Sequence, residues 1–204
     1  MSDLDAFLDQ VRTSLTTQFA GTVGAETVGR YVNESYVALY RTAHADQQLP
    51  DKARRFTVDR LTALGQATGA LGKPVPEVLF LCIHNAGRSQ MAAALMAHHG
   101  RGRVNVRSAG SQPDATVSKS ATAVLAEIGV DLAGAFPKPL TDDVLRAADV
   151  VVIAGGGDAC PRVPGPRYDA WDLPHPPGSD LDAVRAVRDD IDARVQKLLA
   201  ELTA

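Results

Sequence analysis

Cys82 and Arg88 stand six positions apart in the stretch VLFLCIHNAGRSQM, residues 78–91, and a thiol and a guanidinium so spaced can act on a single anion. A free cysteine is mostly protonated at neutral pH. At a helix N-terminus beside an arginine both fields favour the thiolate, so Cys82 is expected to be a nucleophile. Arg88 offers a planar fork for two oxygens of a phosphate-like ligand, and the Ser89 hydroxyl can donate a hydrogen bond to the thiolate. Ile83, His84, Asn85, Ala86 and Gly87, which lie between, are enough chain to curl with their backbone N–H groups inward. Such a ring binds a tetrahedral oxyanion. The Cys-x5-Arg spacing alone also fits a buried structural cysteine and a surface arginine; an apolar strand before it and a helix after it are what make it specific.

Both flanks are present. Val78 to Leu81 is a short apolar run, bounded by Pro76 and Glu77, that reads as a buried strand delivering Cys82 at its end. Ser89 to Met96 is rich in Ala, Leu, Met and Gln and favours helix. Beyond it strand and helix alternate. Val104 to Arg107 predicts a second strand, leading to Ser108-Ala109-Gly110. Val117 to Ile128 predicts a helix stopped by Gly129, and Thr141 an N-cap for Asp142 to Ala147. Asp149 to Ala154 is the clearest buried strand, and Gly155 to Pro161, which holds Cys160, reads as a glycine-rich loop leaving its carboxyl end. Arg167 to Leu173 fits a fourth strand, and the apolar stripe from Leu181 to Leu202 an amphipathic closing helix capped at Ser179 or Asp180. Right-handed crossovers then predict an α/β fold, a four-stranded parallel sheet with helices on both faces.

The first 72 residues read differently. Leu4, Phe7, Leu8, Val11 and Leu15 recur at helical spacing, as do Val28, Tyr31, Val32, Ser35, Tyr36 and Leu39, and then Phe56, Leu61 and Leu64. Three helices in an antiparallel bundle are expected over residues 1–72, with a docking or homodimerising role rather than a chemical one. The proline-containing segment LGKPVPE, residues 71–77, is a stiff linker, so the second domain is placed at 77–204.

The composition is that of an ordinary globular protein. With 204 residues, 45% apolar and 22% charged, and a net charge of −3, the chain has no basic surplus for nucleic acid or an anionic membrane. No apolar run approaches the ~20 residues of a membrane span, and the N-terminus lacks the regions of a signal peptide, so a cytoplasmic location is expected. Two cysteines, Cys82 and Cys160, argue against a disulfide scaffold, and the five histidines show no zinc spacing with them. No metal or bound cofactor is expected.

CIHNAGRS on a strand-to-helix turn, SAGS after the second strand, and the Gly-Asp-Ala-Cys-Pro loop followed by Trp-Asp-Leu-Pro resemble the low-molecular-weight protein tyrosine phosphatase fold. Within it the likeness is to arsenate reductases coupled to thioredoxin or mycothiol, and it covers residues 77–204. The N-terminal helices resemble an extension found on some bacterial reductases of this type. The resemblance implies that Cys82 attacks the arsenic of bound arsenate, that residues Ile83 to Arg88 cradle its oxygens, and that a second thiol then releases arsenite. The reductant implied is external: mycothiol with a glutaredoxin-like protein, or thioredoxin.

At two positions the chain departs from the family pattern. Reductases of this type carry a resolving cysteine a few residues before the one matching Cys160, where this chain has Gly156. Either Cys160 attacks Cys82 itself or a small thiol does so in its place. The family also places an aspartate before a proline as general acid, where this chain has His175-Pro176; His175 can donate a proton near neutral pH, and Asp172 competes for the role. Three functions stay open at this point: an arsenate reductase, a phosphotyrosine or small phosphomonoester hydrolase needing no second thiol, and an oxyanion-binding module impaired in turnover.

Overall fold

The apolar run before Cys82 becomes strand β1, Glu77–Cys82, buried along its whole length. The computed structural model describes residues 3–43, 46–155, 161–177 and 180–204. β1 lies inside a four-stranded, all-parallel sheet of order β2-β1-β3-β4, with β2 at Asn105–Gly110, β3 at Val150–Ala154 and β4 at Arg167–Trp171. The valines of β3 and the apolar residues of β1 are buried on alternate sides, as expected of interior parallel strands. Cys82 pairs with Gly110 and Ala154 with Trp171, so the strands end in step. From β1 the chain runs outward to β2 and returns on the other side to β3. The connections leaving β1 and β3 therefore part at their carboxyl ends, which is where open α/β sheets bind ligands.

The chain divides into two units. One joins the described residues up to Lys73 to Thr141–Ala147; the other comprises Pro74–Leu140 and Ala148–Ala204. In the second, helices α4 (Arg88–Gly100), α5 (Lys119–Ala126) and α7 (Leu181–Leu202) bury a common core against Val78, Phe80, Val150 and Val152. Phe80 and Trp171 meet there with ring centroids 5.7 Å apart. Ser118 caps α5 by accepting from the Ala121 N–H, and Asp180 caps α7 by accepting from the Ala183 N–H at 3.0 Å. The other cap candidate, Ser179, lies outside the described residues.

The first unit holds α1 (Asp3–Gln18), α2 (Ala25–Ala43) and α3 (Leu49–Ala67), and with them α6 (Asp142–Ala147) from much later in the chain. Val11, Leu15, Phe19, Val28, Val32 and Leu61 form its apolar centre. Beside that centre Arg60 Nε of α3 donates to Asp143 Oδ2 of α6 at 3.1 Å, both side chains more than nine-tenths buried. Arg60 also reaches Glu34 at 3.0 Å and lies over the Tyr31 ring, 4.3 Å from its centroid. Burial, and then the Asp143 carboxylate that accepts from it, push the Tyr31 hydroxyl up to about 12, while Arg60 acts in the opposite sense.

Candidate active site

Cys82 ends β1 and Arg88 begins α4, so residues 83–87 must turn the chain through the crevice. Each carbonyl of that loop has a partner. Ile83 O accepts from Gln112 N at 2.8 Å, His84 O from Asp114 N at 2.9 Å, Ala86 O from Ser118 N at 2.9 Å and Gly87 O from Met91 N at 2.9 Å. Asn85 O accepts from Gln90 Nε2 at 2.9 Å. In a trans peptide the N–H of the next residue points opposite to the carbonyl, so a loop whose carbonyls are tied from outside turns its amides inward. Asn85 N, which donates to Cys82 Sγ at 3.2 Å, shows the effect. The first N–H groups of α4 have no intrahelical acceptor and add to the same ring.

The turn has a conformational requirement at Asn85, whose φ of +48° is in the left-handed region that asparagine tolerates better than most residues. It has a steric requirement at Gly110. A Cβ there would come 2.5 Å from Ile83 O and 2.9 Å from Asn85 N, so the end of β2 presses against the loop as only glycine can.

Within the ring a polar chain leads to the thiol. Lys138 N donates to Asn85 Oδ1 at 2.8 Å, which fixes the carboxamide with its NH2 towards Ser89, 2.9 Å from Oγ. The Ser89 Oγ lies 2.9 Å from Cys82 Sγ, and towards a thiolate, which carries no proton, the hydroxyl is the donor. Cys82, Asn85 and Ser89 are all buried. Arg88 is half-buried, its Nη1 donating to Leu173 O at 3.0 Å.

Above the thiol opens a cavity of about 260 Å³, bordered by Cys82, His84, Arg88, Asp114, His175 and Ser118 among others. A water fills about 30 Å³, so there is room for an oxyanion together with part of a second reactant. The wall away from the loop includes Ser120, Ala121, Pro176 and Val184, small or aliphatic groups rather than aromatic ones among the described residues. His84 Nδ1 lies 3.4 Å from Asp114 Oδ1 at the rim.

Of the residues singled out in the sequence, the structure thus brings Cys82, His84, Ala86, Gly87, Arg88 and His175 to one cavity, with Ser89 and Asn85 behind it, hydrogen-bonded to the Cys82 sulfur. Asp172, the competitor of His175, is exposed and acts electrostatically on Arg194 of α7. Cys160 and Gly156 lie outside the described residues. Among the described residues no group of three or more His, Cys, Asp or Glu is placed to hold a metal, and no helix is long and apolar enough to cross a membrane. Sequence reasoning missed Gln90, which reads simply as a helix former, and the loop-facing role of Gly110, for which the only local sign is the SAGS turn.

Within a parallel sheet of order β2-β1-β3-β4, the strand β1 thus ends on a cysteine and the next helix opens on an arginine. Residues 77–204 match the low molecular weight phosphotyrosine protein phosphatase family, and residues 8–65 the protein-tyrosine-phosphatase-like N-terminal domain. The chain belongs to the low molecular weight phosphotyrosine protein phosphatase family. Among solved structures, a thioredoxin-dependent arsenate reductase of Corynebacterium glutamicum is 44% identical, with a TM-score of 0.89 and a match covering 97% of this chain and 96% of that one. An arsenate reductase in its phosphate-binding state is 30% identical, with a TM-score of 0.58, over 63% of this chain and 99% of its own. A glutaredoxin arsenate reductase of Synechocystis sp. is 32% identical over 130 residues, 62% of this chain and 98% of that protein.

Proposed function

We propose that the protein is an arsenate reductase in which Cys82 is the nucleophile. The observation that carries this reading is the likeness to the C. glutamicum reductase, which runs through both the N-terminal helices and the sheet at 44% identity. The geometry supports it: a cysteine sulfur hydrogen-bonded to Ser89 and accepting from the Asn85 amide borders a cavity with room for an oxyanion. Cys82 Sγ attacks arsenic, an S–As bond forms, and one arsenate oxygen leaves as water after taking up protons. The amides of residues 83–88 and the Arg88 guanidinium hold the remaining oxygens. His175, at the cavity, is the proton donor to the departing oxygen.

Reduction follows when a second thiolate attacks Cys82 Sγ. A disulfide forms, the S–As bond breaks, and its electron pair stays on arsenic, which leaves as arsenite. With Gly156 in place of a resolving cysteine, the thiolate is supplied by a small external thiol such as mycothiol, served by a glutaredoxin-like protein. A second route, in which Cys160 attacks and thioredoxin reduces the Cys82–Cys160 disulfide, is favoured by the thioredoxin dependence of the C. glutamicum neighbour. The N-terminal helices are read as a docking or homodimerising unit in either case.

An assay pair tests the reaction: arsenate-dependent thiol oxidation against aryl-phosphate hydrolysis without reductant. Reductase activity supports the proposal; hydrolysis alone makes the chain a phosphatase, and neither makes it an impaired oxyanion-binding module. Cys160→Ser then separates the routes. Retained turnover with a small thiol supports the external route, and loss of turnover together with an arsenate-induced Cys82–Cys160 disulfide in the parent supports the internal one.

A further inference from the structure

Four of the five loop carbonyls are held by backbone amides, which any sequence would supply. Asn85 O is the exception. It belongs to the loop's left-handed residue and is held by a side chain, Gln90 Nε2, at 2.9 Å. The same nitrogen lies 3.1 Å from Phe136 O and 3.2 Å from Asn85 Oδ1. Carbonyl oxygens only accept, so the group facing them is the Gln90 NH2 and its orientation is settled by its neighbours. Gln90 is 3% exposed, and no solvent is at hand to replace it.

We infer that Gln90 is a positioning residue for Cys82. It holds the Asn85–Ala86 peptide so that the Ala86 N–H faces the oxyanion, and it braces the Asn85 carboxamide from the side opposite Ser89. The carboxamide sets the direction of the Ser89 hydroxyl, and that hydroxyl stabilises the thiolate. Removing the Gln90 donor therefore acts on the sulfur through a series of three hydrogen bonds while leaving Cys82, Ser89 and Arg88 in the chain. The inference rests on Cys82 being the nucleophile but not on which oxyanion reacts.

The test uses the full-length chain and two readouts that need no turnover: the pH profile of Cys82 alkylation by iodoacetamide, resolved from Cys160 by peptide mass spectrometry, and calorimetric binding of inorganic sulfate. Gln90→Met keeps the length of the side chain and loses the donor. Leaving a buried carbonyl unpaired is expected to weaken sulfate binding roughly tenfold and to move the alkylation profile to higher pH. Gln90→Glu places a carboxyl against the same three oxygens, where only its protonated form can donate. Its sulfate affinity relative to the parent is expected to fall as pH rises and to recover towards acid, and this variant decides the matter if Gln90→Met does not fold. A parent-like alkylation profile and sulfate affinity in Gln90→Met, or a pH-independent ratio in Gln90→Glu, would overturn the inference and leave Gln90 as helix packing. Because neither readout involves arsenate, a failure here is distinct from a failure of the reductase reading.

Discussion

Arg88 and Gly155 are fitted to one another: a Cβ on Gly155 would lie 1.9 Å from Arg88 Nη1 and 2.6 Å from its Cζ. Gly155 has a φ of +125°, a conformation that side chains rarely adopt, and directly follows β3. Together with Leu173 O, which accepts from Nη1 at 3.0 Å, it forms the seat of the guanidinium. Gly155→Ala should therefore fold but displace Arg88, weakening phosphate binding about tenfold or more by loss of a charge-assisted contact. Calorimetric titration with phosphate checks this, and a parent-like dissociation constant would show that Arg88 does not need the seat.

The Arg60–Asp143 pair joins α3 to α6 within the first unit. Asp143→Ala removes the buried carboxylate and leaves the guanidinium its hydrogen bonds to Glu34 and Ser35 and its place over the Tyr31 ring, and should lower stability by about 2–4 kcal/mol in urea unfolding. Replacing both partners, Arg60→Met with Asp143→Leu, should cost less, because no charge is then stranded. A double variant less stable than the single one would mean that the pair contributes net stability rather than mutual compensation.

Tyr31 supplies a pH dependence in the alkaline range. Its hydroxyl ionises at about 12 when folded against 10.0 for the free side chain, so the unfolded chain loses this proton first. The contribution is present below pH 10 and lost as pH rises towards 12, on the order of 2 kcal/mol in all. Tyr31→Phe should therefore lose less stability than the parent between these values. Parallel falls in the melting temperatures of the two proteins would contradict the assignment.

We propose the boundary between the two domains at residues 72–77. Deleting residues 1–72 should leave a folded sheet that binds oxyanions, since among the described residues every strand lies beyond it. The cut also removes α3, against which α6 packs, so Val144 and Leu145, buried at 4% and 1%, lose their helical partner. Increased binding of a hydrophobic dye is expected alongside the circular dichroism spectrum of a folded α/β protein with less helix than the parent. An unfolded spectrum would show that the helices are required for the sheet to form.

What could be read in the sequence was local. β1, Cys82, Ser89 and Arg88 follow from an apolar run, a turn and a helix within a few residues, and the later strands and helices from their own periodicities. The unread parts depend on approaches between distant segments. Gly110 matters because β2 ends against the loop, Gln90 because it faces Asn85 and Phe136, and Gly155 because Arg88 lies over it. The place of α6 was equally hidden. The six residues beginning Asp142-Asp143 read as a short helix capped by Thr141, but nothing near them signals that Asp143 meets Arg60, 83 positions earlier.

The most direct test of the account is a single turnover of the fully reduced protein with arsenate in the presence of one small thiol, measuring arsenite and mapping the cysteines by mass spectrometry. The account predicts about one arsenite per Cys82 converted to a disulfide, and none from Cys82→Ser, which should still bind phosphate through the amide ring and Arg88. Arsenite released at the parent rate by Cys82→Ser, or arsenite formed while Cys82 of the parent stays a free thiol, would contradict it.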